Sequence, residues 1–90
     1  MIKHYNILVR GHVQGVGFRY SAMRAAELYN VFGFVRNEPD GSVYIEAEGE
    51  TFNLDMYLDW CRKGPGYGRV EKVFHTASTV QGFQKFEIRI

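Results

Sequence analysis

Tyr5, Ile7 and Val9 are separated by Asn6, Leu8 and Arg10, a period-two alternation that predicts a strand with one well-defined inner face. The period then changes. Phe18, Ala22, Ala25, Ala26 and Tyr29 fall at helical spacing, with Met23 and Leu28 widening the stripe. Asn30 and Gly33 bracket the end of this helix, as residues tolerant of left-handed backbone do. Phe34-Val35-Arg36-Asn37 predicts a second strand, and Pro39-Asp40-Gly41-Ser42 a turn, since proline presets φ and glycine accepts positive φ. Beyond the turn Val43, Ile45 and Ala47 alternate with Tyr44, Glu46 and Glu48, which makes the pair a hairpin. A second helix is predicted over Phe52 to Arg62, with Phe52, Met56 and Trp60 on one stripe and Leu54, Leu58 and Cys61 on its neighbour. Lys63-Gly64-Pro65-Gly66-Tyr67-Gly68 ends it. Val70 to Thr76 reads as a strand, and Phe86, Ile88 and Ile90, alternating with Lys85, Glu87 and Arg89, as a short closing one.

The order is β-α-β-β-α-β with a further strand at the end. It implies an α+β fold, a ferredoxin-like sandwich with two helices on one face of a mostly antiparallel sheet. Residues 1–90 are read as a single domain, with no repeat, linker or low-complexity segment. Phe18, Phe34, Phe52, Trp60, Phe74 and Phe86 are expected in the core, and the six tyrosines at the edges of the sheet.

Hydrophobic residues make up 46% and aromatics 16% of the chain, enough for a core without disulfides or metal staples. Cys61 is the sole cysteine and falls at core spacing in the second helix, which predicts an inert thiol. With no signal peptide legible at Met1-Ile2-Lys3-His4-Tyr5-Asn6, the chain is expected to be cytoplasmic. No apolar run approaches the roughly 18 residues of a membrane span. A net charge of +1 lacks the basic excess of a nucleic-acid binder. His4, His12 and His75 have no ligand spacing, so neither a metal nor another cofactor is expected.

The chemistry concentrates between Arg10 and Tyr20, which join the first strand to the first helix with no acidic residue among them. Gly11, Gly15 and Gly17 permit the positive φ values that turn successive amides toward one point, and the helix adds free N–H donors and the positive end of its dipole. Arg19 lies in the first helical turn, where a cation costs about 0.3–1 kcal/mol unless an anion binds beside it. Its guanidinium suits a phosphoryl group. Other phosphate motifs fail: a Walker loop starting at Gly11 would need a glycine where Val16 stands, and a dinucleotide fingerprint would need one at Tyr20. Taken alone, a glycine turn with a solvated arginine is an equally good reading, and Asn37 beside Pro-Asp-Gly reads as a residue bonding local backbone.

The run Gly11-His12-Val13-Gln14-Gly15-Val16-Gly17-Phe18-Arg19, followed by Gly33-Phe34-Val35-Arg36-Asn37-Glu38-Pro39-Asp40-Gly41-Ser42-Val43, closely resembles the two signatures of the acylphosphatase family. Gly64-Pro65 and Val70 are similar to a later landmark of that family. The resemblance extends over essentially the whole chain. It implies hydrolysis of acyl phosphates, carboxylic–phosphoric mixed anhydrides, without metal and without a covalent phosphoenzyme. It implies that Arg19 is a catalytic residue holding the phosphoryl group and that Asn37 is the catalytic residue positioning the attacking water. It implies further that the main-chain amides of Gln14, Gly15, Val16, Gly17, Phe18 and Arg19 bind phosphate. Inorganic phosphate is then both product and competitive ligand. Glu38 and His12 depart from the common pattern, but strand alternation points Glu38 away from Asn37.

Two alternatives remain. Phe32-Gly33-Phe34-Val35 faintly resembles the aromatic strand of an RNA-recognition motif, on the same architecture. A regulatory or carrier domain could keep the anion cradle without turnover. The near-neutral charge and the presence of both Arg19 and Asn37 favour an enzyme acting on a small acyl phosphate, with no nucleic acid or membrane partner, and a monomer is expected for so small a closed domain.

Overall fold

Each change of period along the chain becomes a boundary in the computed structural model, which describes residues 1–90. The elements are β1 (Ile2–His12), α1 (Phe18–Leu28), β2 (Phe32–Asn37), β3 (Val43–Glu50), α2 (Thr51–Lys63), β4 (Arg69–Ser78) and β5 (Phe86–Arg89). One five-stranded sheet runs in the order β4-β1-β3-β2-β5. Only the β2–β5 pair is parallel; the other pairs are antiparallel. The expected α+β sandwich is thus the observed one.

Register explains why one face is buried. Ile7 lies opposite Ile45, Val9 opposite Val43, and Val35 opposite Ile45, so the inward residues of three strands form one apolar surface. Phe18, Ala22, Ala25 and Ala26 of α1 and Leu54, Tyr57, Leu58 and Cys61 of α2 close over it, giving a core of 17 buried residues. The alanines of α1 let that helix approach the sheet closely. Burial pushes the Cys61 thiol well above its ordinary pKa, so it stays protonated near neutrality.

Three core expectations need correction. Phe52 is 75% exposed, Met56 40% and Phe74 50%. Leu28 also faces solvent rather than joining the core. Conversely Tyr57, expected at a periphery, is completely buried. Two stripes of α2 have helical spacing, and the one that faces the sheet runs through positions 54, 57, 58 and 61, not 52, 56 and 60. Tyr57 can occupy it because its hydroxyl donates to the Ala22 carbonyl at 3.0 Å, which ties α2 to α1.

The opposite face of the sheet is covered in part by the segment between β4 and β5. Phe83 stacks on His4, with ring centroids 5.8 Å apart, and meets Phe34 edge-on at 6.0 Å. Glu48 anchors this strap: its carboxylate accepts the amides of Gln81 at 2.6 Å, Gly82 at 2.8 Å and Phe83 at 3.0 Å. The buried His4 ring is hydrogen-bonded to Glu48 at 2.8 Å and to Glu46 at 3.0 Å. Burial alone would raise the Glu48 pKa, but the Gln81 amide, His4 and the amides of Phe83 and Gly82 outweigh it and hold the carboxyl below its ordinary 4.5. A carboxyl depressed by folding stabilises the fold at pH values above 4.5, and that contribution disappears as pH falls through the folded value. Replacing Glu48 by Gln should therefore cost about 1–3 kcal/mol at neutral pH. In urea unfolding, the gap between the two proteins should narrow as the pH drops below 4.5; a gap that is constant or widens would contradict the anchor's charge.

Tyr57 gives a separate check on the packing. Tyr57→Phe should lose about 1 kcal/mol, the worth of one buried hydrogen bond, and Tyr57→Ala about 3–5 kcal/mol, from the cavity left behind. Equal losses would mean that the ring contributes nothing to the core.

Candidate functional site

The β1–α1 connection carries the site, and its backbone is set by glycine. At Gly11, where β1 slips register against β4, φ is 139° and a Cβ would collide with the Arg69 carbonyl. At Gly17, the residue before α1, φ is 78°, the left-handed value that turns the chain into the helix. No side chain caps this helix end, and its first turn holds no acidic residue.

The amides of residues 14 to 20 donate to no carbonyl or side chain of the protein; the first amide of the region to do so is that of Ser21, to the Gly17 carbonyl at 3.1 Å. A helix leaves its first N–H groups unpaired in any case, but here the unpaired run extends back through the whole glycine turn. Such a run has the chemistry to cradle an oxyanion.

Arg19 is half-buried beside this cradle. Its Nη1 donates to the Arg89 carbonyl at 3.1 Å, so β5 fixes the guanidinium from the far edge of the sheet. Asn37 ends β2, and its carboxamide makes no hydrogen bond to the protein, although its backbone pairs with Val43. Gly15, Gly17, Phe18, Arg19 and Asn37 line one cleft of about 230 Å³, together with Val13, Tyr20 and Ile88. The structure thus brings together both polar side chains singled out in the sequence, with two of the glycines and Phe18.

Gln14 and Val16 do not line this cleft, though their amides belong to the unpaired run. Val16 packs against the core instead. The Gln14 side chain turns to the β2–β3 hairpin and donates from Nε2 to the carbonyls of Glu38 at 2.7 Å and Ser42 at 2.8 Å. It clamps the amide loop to the turn that follows Asn37. The hairpin has its own lock: Asp40 accepts the Ser42 amide at 2.9 Å and the Ser42 hydroxyl, and the hydroxyl and the amide hold the Asp40 carboxyl below its ordinary pKa. Sequence reasoning assigned Gln14 only its amide, because nothing local reveals that its side chain reaches residues 38 and 42.

Glu38 points away from Asn37, accepting from Arg36 Nε at 2.9 Å on the opposite face. The histidines separate: His4 is buried under the strap, His12 ends β1 in solvent, and His75 packs on Tyr5 with centroids 5.0 Å apart. Phe34, the aromatic that an RNA-binding sheet would expose, is only 4% exposed and lies under Phe83 and Arg89, whose guanidinium carbon sits 3.9 Å from the ring centre.

The sequence model of the acylphosphatase family matches residues 5–88. The chain belongs to the acylphosphatase family. An acylphosphatase of Oceanobacillus iheyensis is 44% identical over 91 residues, covering 98% of this chain and 99% of that one. The crystal structure of acylphosphatase from Bacillus subtilis superposes with a TM-score of 0.94 at 35% identity, covering all of both chains. An acylphosphatase structure from Coxiella burnetii also superposes at 0.94, with 31% identity over 98% of this chain and 93% of that chain.

The Gln14 clamp generates a test. Gln14→Leu keeps the bulk and removes both donors, so the Asn37 end of β2 should loosen relative to the amide loop. Hydrogen exchange at the Glu38 and Gly41 amides, which now bond within the turn, should accelerate, and turnover should fall about tenfold through lost positioning. Unchanged exchange and turnover would show that the hairpin holds itself.

Proposed function

We propose that this enzyme hydrolyses acyl phosphates to carboxylate and inorganic phosphate by in-line attack of water, with the loop amides and Arg19 holding the phosphoryl group and Asn37 holding the water. The observation that carries the reading is the run of unpaired amides at residues 14 to 20, of which Gly15, Gly17, Phe18, Arg19 and Tyr20 share one cleft with the unbonded Asn37 carboxamide.

Phosphoryl transfer asks for stabilisation of charge on the equatorial oxygens and for a nucleophile in line with the leaving group. Amides fixed by the glycine turn supply the first without reorganising, and the guanidinium adds a positive charge with a planar fork of donors. The Asn37 carbonyl can accept a hydrogen bond from water and orient one oxygen lone pair at phosphorus. The water oxygen bonds to phosphorus as the bond from phosphorus to the acyl oxygen breaks, and the carboxylate departs with the electron pair. A carboxylate is a good leaving group, so no general acid is required. A carboxamide is no base near neutral pH, so the water's proton passes to a phosphoryl oxygen or to solvent. With the charge met by amides and guanidinium, the reaction runs without a metal ion or other cofactor.

We read residues 1–90 as one domain, working as a monomer in the cytoplasm. No helix is long and apolar enough to cross a membrane. The rival reading, an anion-binding domain without turnover, shares the cradle and Arg19 but gives the free Asn37 carboxamide no task.

Acetyl or benzoyl phosphate incubated with the protein and a chelator should be hydrolysed, with inorganic phosphate competing. Arg19→Ala should abolish turnover and phosphate inhibition together. Asn37→Ala should lower kcat by about 10²–10³, the scale for losing one preorganised polar group, while inhibition by phosphate persists. Chelator-sensitive turnover would contradict the metal-free chemistry, and loss of phosphate inhibition in Asn37→Ala would contradict its assignment to water.

A further inference from the structure

A second depression flanks the first turn of α1 on the side of α2. It is wider, about 490 Å³, and its wall is mainly Tyr20, Leu28, Trp60, Pro65 and Tyr67, with Arg24 at the rim. These are large apolar surfaces left in water: Leu28 is 76% exposed, and Tyr20 and Tyr67 are each more than half exposed. Both tyrosines are nonetheless held. The Arg24 guanidinium donates to the Tyr20 hydroxyl at 3.1 Å, and the Tyr67 hydroxyl shares a hydrogen bond of 2.7 Å with Ser21. An ordered aromatic groove of this kind fits a small apolar guest better than a mobile surface would.

The groove joins the anion cleft at two points. Tyr20 lines both depressions. The Tyr67 ring stands against the amide loop, where a Cβ built on Gly17 would meet its Cε2 at 3.9 Å. The direction of the junction matters as well. Asn37 ends β2, next to the edge strand β5, whereas Tyr67 lies just before β4, the opposite edge of the sheet. Water held by Asn37 and the groove are therefore on opposite flanks of the loop, and in-line displacement sends the leaving carboxylate away from the water.

We propose that this groove is the acyl subsite, and that it selects acyl phosphates with an aromatic or extended aliphatic acyl group over those with a short or polar one. The proposal rests on the hydrolysis of acyl phosphates described above. The carboxylate carbon of the substrate would sit over Tyr20 and Gly17, with the ring or chain between Tyr67, Trp60 and Leu28.

The test compares kcat/KM for acetyl, hexanoyl and benzoyl phosphate in the wild-type chain, Leu28→Glu and Tyr67→Ala. Leu28 is solvent-facing, so its substitution leaves the core intact. The wild-type chain should favour benzoyl and hexanoyl over acetyl phosphate. In each variant the benzoyl-to-acetyl and hexanoyl-to-acetyl ratios should fall about tenfold, the scale for losing one apolar contact in a substrate pocket. Inhibition by inorganic phosphate, which has no acyl part, reports the anion cleft separately. Hydrolysis of all three substrates with ratios unmoved by either variant would overturn the subsite and leave the hydrolytic reading standing. No hydrolysis of any substrate by the wild-type chain would overturn both.

Discussion

A backbone amide that finds no acceptor is costly to bury and is normally paired within the protein. The β1–α1 connection keeps a continuous run of them unpaired at residues 14 to 20, and Gly15, Gly17, Phe18, Arg19 and Tyr20 of that run line one cleft. An anion could serve as their common acceptor, and the surrounding structure keeps the run from finding one within the protein. Gly17 holds the left-handed turn, the bulge at Gly11 sets where β1 releases the chain, and the Gln14 side chain fastens the loop to the neighbouring hairpin.

The site is assembled from both ends of the chain. Arg19 takes its position from the Arg89 carbonyl on β5. β5 is reached by the strap that Glu48 anchors through three amides, and Glu48 is in turn bonded to His4 on β1. A chain of contacts thus links the strap on one face of the sheet to the strand that holds the Arg19 guanidinium.

Much of this was legible in the chain. Alternation of period two and the Pro39-Asp40-Gly41-Ser42 turn give the hairpin, and the glycines around an arginine in a first helical turn mark the candidate anion cleft, because both signals are local. What stayed hidden depends on distant partners. Tyr57 can be buried because the Ala22 carbonyl is there to receive its hydroxyl, and Phe52 is exposed because it lies on the stripe of α2 turned away from the sheet. Helical spacing alone fits either stripe of α2. Phe74 sits on the face of β4 that the strap leaves open, which alternation cannot distinguish from a covered one. The Gln14 clamp and the Arg19–Arg89 contact join residues far apart in sequence and leave no local trace.

The central claim is that the amides of residues 14 to 20, not side chains alone, bind the phosphoryl group. Titration of ¹⁵N-labelled protein with inorganic phosphate, followed by amide NMR, tests it directly. The account predicts saturable shifts concentrated on residues 14 to 20 and on the Arg19 side chain, with β4 and α2 unmoved. Shifts confined to surface lysines and arginines, or none in the loop at saturating phosphate, would contradict it.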